Sequence, residues 1–367
     1  MDLNEIIPVL IVGGLFLLSF LKFSNVTKVN RRANIFFGIF TLLWSSFWLD
    51  EMIIPRNVEN DSYIYIILHL LQFFVATTFY FSVKIYADPG FRFKPRSTFY
   101  CIVPLIFLGF LIAEPILNPR YFHFFYTVLF LGHSLFYTVL AYARILKHQK
   151  DIEQFHSSTE DIDLRWIKYI IYSFISSSII ITIYSIFTSA VALNIYINLF
   201  FLAVVYLVSF YSLRQKEIYP REAFVEPLES SDVDEPVDHM RKMEKLQLFS
   251  SEELALLKLQ LSDLMENQAP YLDSELNLIK LAHTMDIKSH QLSYLINTGF
   301  GTNFFNFING YRVSKAKELL RSDQHDHLNM LVIGYQSGFN SKTSFNTTFK
   351  KMTNMTPSEY RKEKSMR

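Results

Sequence analysis

Five side chains carry reactive or hydrogen-bonding groups where such groups are scarce. His69, Gln72, Glu114, His123 and His133 lie within or at the edge of long apolar runs. An imidazole or a carboxyl can exchange a proton, and an amide can hold a ligand through hydrogen bonds. Leaving such a group bare in lipid is costly, so all five are candidates for a signal or ligand site. His69 and Gln72 are three residues apart and share a helix face. Glu114, before Pro115, and His123 sit close in sequence at one end of their runs. The same groups could instead hydrogen-bond between helices and simply hold a bundle together. His69, His123, His133 and Glu114 would also be the ingredients of a membrane enzyme, but no metal-ligand spacing ties them together. No motif implies a metal or a cofactor. The one cysteine, Cys101, excludes an intrachain disulfide and reads as a small buried hydrophobe.

The elements that must position these groups are apolar. Half of the 367 residues are hydrophobic, with 36 Phe and 21 Tyr, and the mean hydropathy is +0.19. Seven apolar stretches follow one another, at 6–23, 34–54, 63–86, 98–117, 121–146, 167–192 and 195–213. Each is near the ~20 residues that cross about 30 Å of hydrocarbon as a helix. The first begins after Asp2 and Glu5, is acidic where a signal peptide is basic, and reads as a retained span. Cations cluster after the first, third, fifth and seventh stretches: Lys22, Lys28, Arg31 and Arg32; Arg92, Lys94 and Arg96; Arg144, Lys147 and Lys150; Arg214 and Lys216. By the positive-inside rule, the N-terminus is then outside and the C-terminus in the cytoplasm. Trp44 and Trp48 fit interface anchors. The 11 glycines are few for a glycine-packed transport bundle. A transporter or channel with a regulatory tail is nonetheless the second function class.

Charge divides the chain in three. Residues 1–216 hold 17 Lys+Arg against 13 Asp+Glu (+4), residues 217–268 hold 5 against 13 (−8), and residues 269–367 hold 13 against 8 (+5). The basic end contains one motif twice. Leu281-Ala282-His283-Thr284-Met285-Asp286-Ile287, followed by Leu292-Ser293-Tyr294-Leu295-Ile296, is echoed by Ile333-Gly334-Tyr335-Gln336-Ser337-Gly338-Phe339, followed by Phe345-Asn346-Thr347-Thr348-Phe349. An apolar-small pair, a turn residue, an apolar anchor and a second short helix is a helix-turn-helix pattern. Two in tandem on a basic segment suggest a module that reads DNA. Between them, Phe304, Phe307, Ile308, Tyr311, Ala316, Leu319 and Leu320 are spaced as one long helix that buries a face against both halves.

Residues 217–244 contain Pro220, Pro227, Pro236 and an acidic run, and read as a flexible, self-repelling linker. The acidic run could compete with phosphate for the basic end. A capping box at Ser250 and Glu253 then opens a helix with Leu254, Leu257, Leu261 and Leu264 on one stripe. That stripe is either the seam of a short two-stranded coil or a face packed on the following domain.

Gly338-Phe339, Ser341, Phe345, Phe349-Lys350-Lys351 and Thr356-Pro357-Ser358-Glu359-Tyr360-Arg361 resemble the signature of the AraC/XylS family of bacterial transcription regulators. Tyr271-Leu272-Asp273, Leu278, Leu281-Ala282 and Leu292-Ser293 are similar to the first half of that family's domain, so the resemblance covers about residues 270–363. Four positions depart from the pattern. Gly334 stands where Ala is common, Asp286 and Asn354 where Gly is common, and Thr347 where Arg is frequent. Asp and Asn tolerate the left-handed turns that Gly would make.

The resemblance implies recognition helices at 289–297 and 341–350. It leaves His290, Gln291 and Tyr294 outward on the first, and Lys342, Thr343, Asn346 and Thr347 outward on the second. Gln, Asn and Lys pair with base edges in the major groove. Ser289, Ser341, Lys350 and Lys351, near helix ends, suit phosphate.

The whole reads as an all-α protein. A seven-helix transmembrane bundle (1–216) precedes a linker (217–249), a connecting amphipathic helix (250–268) and a cytoplasmic tandem helix-turn-helix domain (269–367). The expected place is the bacterial inner membrane. The expected partners are double-stranded DNA and membrane lipid, with RNA polymerase, a second copy of the chain and an unidentified signal ligand as further candidates. Coupling would run from the seventh span through the linker into the leucine-striped helix.

Overall fold

The computed structural model describes residues 3–26, 30–53, 62–93, 100, 102–160, 162–187, 194–215, 248–322 and 328–365. The described elements are helical, apart from one isolated bridge between His156 and Asn277. The chain divides into two compact units. One comprises Met1–His148 with Leu164–Ile218, and the other Gln149–Asp163 with Tyr219–Arg367. The short segment Gln149–Asp163, which the sequence reading left in the membrane half, belongs to the second unit.

The first unit contains α1 (Leu3–Phe23), α2 (Arg31–Trp44), α3 (Ser46–Ile53), α4 (Ser62–Ala87), α5 (Ile102–Ile112), α6 (Pro119–Ile152, whose end enters the second unit), α7 (Arg165–Phe187) and α8 (Asn194–Arg214). Among the described residues, four helices are long and apolar enough to cross a membrane: Glu5–Phe23, Tyr63–Ala87, Pro119–Ile152 and Ile195–Arg214. Four of the seven expected stretches thus contain a full-length span among the described residues. The stretch 34–54 is broken at Ser45. There the hydroxyls of Thr41, Ser45 and Ser46 bond back to the carbonyls of Gly38, Leu42 and Leu43 and loosen the helix. Among the described residues, the stretch 98–117 contains the 11-residue α5, which ends where Pro115 turns the chain at Glu114–Ile116. The side chains of α7 from position 181 on, and residues 188–193, lie outside the described residues, as does Cys101.

Aromatic packing holds this unit together. Trp44 stacks on Phe40 and meets Phe174 and Phe201. Trp44 is fully buried and Trp48 nearly so, with the Trp48 indole donating to Asn198 at 2.9 Å. Both are core residues, not the interface anchors expected of them. Phe73, Phe107, Leu111 and Phe122 form a second cluster across α4, α5 and α6. Lys22 is buried at the end of α1. It donates to the Ser212 carbonyl near the end of α8 at 2.8 Å and lies 3.4 Å from both Asn34 Oδ1 and the Tyr86 hydroxyl. Large apolar side chains along the spans, such as Phe20, Leu105, Phe124, Leu135 and Tyr206, point outward, as a lipid solvent allows.

The second unit contains α9 (Ser251–Asn267), α10 (Leu278–Thr284), α11 (Ser289–Tyr294), α12 (Phe304–Arg321), α13 (Met330–Gln336), α14 (Lys342–Thr353) and α15 (Pro357–Ser365). The capping box at the start of α9 forms as its residues require: Glu253 N–H donates to Ser250 Oγ, and Ser250 N–H to Glu253 Oε2. Asn277, Asn303, Asn329 and Ser341 cap α10, α12, α13 and α14 through their side-chain oxygens. The N-terminal half of α12 buries Phe304, Phe307 and Ile308 in one core with α9, α10 and α11. Its C-terminal half buries Val313, Ala316, Leu319 and Leu320 in another with α13 and α14. The leucine stripe of α9 joins the first core, where Leu261 is fully buried and Leu254, Leu257 and Leu264 are half-buried. Of its two readings, the packed face is the one observed within this chain. Residues 216–247, which hold all but the last two residues of the expected linker (217–249), lie outside the described residues.

Candidate nucleic-acid interface

Two helix pairs, α10–α11 and α13–α14, flank α12. The turn inside the first pair contains Asp286 at φ 53°, and Asn354 ends α14 at φ 60°. Both residues thus hold the left-handed geometry for which glycine is the common choice. Gly334 makes room for Phe345, since a Cβ there would lie 3.0–3.2 Å from Cδ1, Cγ and Cβ of that residue. Gly338, at φ 88°, is more constrained: an added Cβ would come within 2.3 Å of the Tyr271 carbonyl oxygen. That close approach ties the turn after α13 to the chain before α10.

Burial separates the two faces of each outer helix. Leu292, Leu295, Ile296, Phe345 and Phe349 point into the cores. Lys342, Thr343, Thr347, Lys350 and Lys351 are exposed, whereas Ser289, His290, Gln291, Tyr294, Ser341 and Asn346 are partly exposed. Regular α-helix ends at Tyr294, and Leu295–Gly299 forms a wider π-helical turn, so the first recognition segment is shorter as an α-helix than 289–297. Several of the expected contact residues already have partners. Gln291 Oε1 accepts from the Lys288 N–H at 3.0 Å and caps its own helix. Tyr294 packs against Phe249, with ring centroids 5.9 Å apart. Ser341 Oγ accepts from the Ser344 N–H and donates to Glu160. Lys351 Nζ lies 3.7 Å from Glu153 Oε1 and over the Phe305 ring.

Glu153 and Glu160 come from the segment between α6 and α7, which sequence reasoning passed over. Its signal was available: Asp151, Glu153, Glu160, Asp161 and Asp163 fall in a stretch with no Lys or Arg. The centre of its seat is Arg312, on α12 and 1% exposed. Arg312 Nε and Nη2 donate to the carbonyls of Tyr271 and Asp273, both at 2.8 Å. Nη1 reaches the Ser157 carbonyl at 3.2 Å, and Nη2 the Ser157 hydroxyl at 3.0 Å. Burial lowers the Arg312 pKa to about 10, and the Asp273 charge works against that shift. Burial pushes the Asp273 carboxyl up, but the Glu275 N–H and Lys280 outweigh it and hold the group below its usual range.

The five polar residues of the first unit make separate contacts. His133 meets the Thr77 hydroxyl at 3.0 Å, stacks on Phe73, and edges an apolar groove with Val103, Ile106, Phe110 and Phe125. Gln72 donates to the Ser46 carbonyl, at the break between α2 and α3. His69 contacts the Tyr65 carbonyl of its own helix and the Tyr126 ring. Glu114 lies on the short turn after α5, and His123 is exposed on α6. No hydrogen bond joins these last two.

Residues 281–363 match the family described as a helix-turn-helix domain. No curated protein and no solved structure matches the chain. The matched domain is a non-catalytic, DNA-binding type, and among the described residues no group of three or more His, Cys, Asp and Glu could hold a metal. A region of long apolar helices is thus joined to an AraC/XylS-like helix-turn-helix domain.

Proposed function

We propose that the chain is a one-component transcription regulator of the bacterial inner membrane. In this reading the bundle crosses the bilayer seven times, with the N-terminus outside, and the domain at 269–367 reads double-stranded DNA in the cytoplasm. The distribution of loop cations supports this direction. Both helix pairs enter the major groove. Asn346, Lys342, Thr343, Thr347, His290, Gln291 and Tyr294 face bases, while Ser289, Ser341, Lys350 and Lys351 hold phosphate. A signal is received among Glu114, His123, His69, Gln72 and His133, and it acts through its different affinities for two states of the bundle. A second copy, RNA polymerase and lipid are the further partners of this reading.

The observation that carries the reading is α12. One helix enters both cores, with Phe304, Phe307 and Ile308 in the first and Val313, Ala316, Leu319 and Leu320 in the second, so the exposed residues of α11 and α14 are set by a single element, as paired groove readers need. The test is a DNA titration of the full-length protein in lipid nanodiscs at several salt concentrations. Binding whose logarithm falls linearly with log salt, with a sequence-selective component, supports the reading. Absence of duplex binding at low salt would overturn it.

A further inference from the structure

We propose that the loop between α6 and α7 is a built-in competitor for DNA. Docked, it places Glu160 and Glu153 where phosphate would sit on α14; released, it opens that helix to the duplex. This inference rests on the DNA-binding reading above.

The docking is specific. The Phe155 carbonyl accepts from the Leu278 N–H in the first turn of α10, and the Glu153 carbonyl from the Phe305 N–H in the first turn of α12, both at 2.9 Å. These amides have no partner within their own helices, and the loop supplies one for each. The Ser157 carbonyl accepts from Asn309 at 3.0 Å and from Arg312, both almost fully buried. The Ser157 hydroxyl donates to the Leu276 carbonyl. The Phe155 ring packs on the first core. A loop resting loosely on the surface would not satisfy a buried guanidinium.

Two carboxylates are thereby delivered to two groups expected to hold phosphate. Glu160 accepts from the hydroxyl of Ser341, the residue that caps α14. Glu153 faces Lys351. A phosphate offers the same anionic oxygens to the same donors, and the start of a helix favours negative charge of either kind. The single hydroxyl proton of Ser341 cannot serve both at once, and Glu153 neutralises part of the Lys351 charge that a phosphate would meet. The loop is also covalently continuous with α6 and α7, so a shift of those helices is transmitted to α14 without passing through residues 217–249.

The experiment uses the full-length protein in lipid nanodiscs, with Cys101→Ala as background and Glu160→Cys and Ser341→Cys as a pair. The pair is closed with a reducible bis-methanethiosulfonate cross-linker. The probe is duplex DNA retained by the unaltered protein from sheared genomic fragments. The cross-link is expected to form, and the closed protein to bind the probe ~10-fold or more weakly than the same protein after reduction, a difference of about 1.4 kcal/mol. Glu160→Gln alone, in the otherwise unaltered chain, is expected to bind several-fold more tightly than the parent. Failure of the cross-link to form, or equal binding by the closed and reduced forms, would overturn the proposal and leave the loop a purely structural part. If the reduced protein bound no duplex at all, the DNA-binding reading itself would fall.

Discussion

Arg312 grips Ser157 with both terminal nitrogens, Nη1 on its carbonyl oxygen at 3.2 Å and Nη2 on its hydroxyl at 3.0 Å. Two residues 155 positions apart thus share one buried polar centre, which also takes in the carbonyls of Tyr271 and Asp273.

Removing either partner should loosen the centre to a different extent. Ser157→Ala deletes the hydroxyl but keeps the carbonyl, and should cost about 1–2 kcal/mol. Arg312→Met strands several buried acceptors and should cost about 3–5 kcal/mol. All three tryptophans lie in the first unit, at Trp44, Trp48 and Trp166, so their fluorescence would not report on this site. Amide hydrogen exchange across residues 278–320 of the intact protein is the suitable measurement, with faster exchange expected in that order.

Gly338 and Gly334 should respond differently to alanine. At Gly338 the new Cβ meets backbone that cannot yield, in a conformation L-residues avoid, and a cost of about 3 kcal/mol or more is expected. At Gly334 the neighbour is the Phe345 side chain, whose crowding is partly offset by about 1 kcal/mol of helix propensity. A net loss near 1 kcal/mol is expected there. The same exchange measurement, over residues 330–353, separates the two.

The C-terminal half was the more legible in sequence. Its caps, turns and apolar periods are local signals: Ser250 caps its helix as the capping box required, and Asp286 and Asn354 hold the left-handed turns that the family resemblance implied. The orientation of α11 and α14 followed from Leu292, Leu295, Phe345 and Phe349 for the same reason. Three things were not legible. The break at Ser45 depends on hydroxyl back-bonds inside an apolar run that hydropathy reads as continuous. The burial of Trp44 and Trp48 depends on partners in α7 and α8 far along the chain. The seat of Ser157 depends on Arg312, a contact across 155 positions with no local trace. Competition with phosphate was expected of the acidic linker, whereas the carboxylates at Ser341 and Lys351 come from the loop after α6.

On α14, Lys350→Ala should weaken binding about equally for all duplexes and lower the salt slope by about 1. Asn346→Ala should instead relax sequence preference at one position, at a cost of about 1–3 kcal/mol for the best site only. Gln291→Ala should combine a lost base contact with a weaker start of α11, since its amide oxygen caps the Lys288 N–H. Gel-shift titrations against matched and scrambled duplexes distinguish the three outcomes.

Acid should weaken two helix starts together. Hydrogen bonds from the Ser250 N–H to Glu253, and from the Thr356 N–H to Glu359, hold both carboxyls below their usual value of 4.5. A carboxyl lowered in the folded state stabilises above its unfolded pKa, and the contribution is lost as pH falls through the folded one. The starts of α9 and α15 should therefore hold down to about pH 4.5 and fray below it. Carboxyl carbon shifts of the two glutamates, followed by NMR during an acid titration, check this. Titration at or above the usual value would contradict it.

The most direct measurement maps the chromosomal DNA cross-linked to the intact, membrane-bound protein in living cells, beside an Asn346→Ala and Lys350→Ala double variant. Discrete sites sharing one sequence pattern are expected, and they should fade in the variant. Uniform background with both proteins would contradict a membrane-tethered reader of DNA.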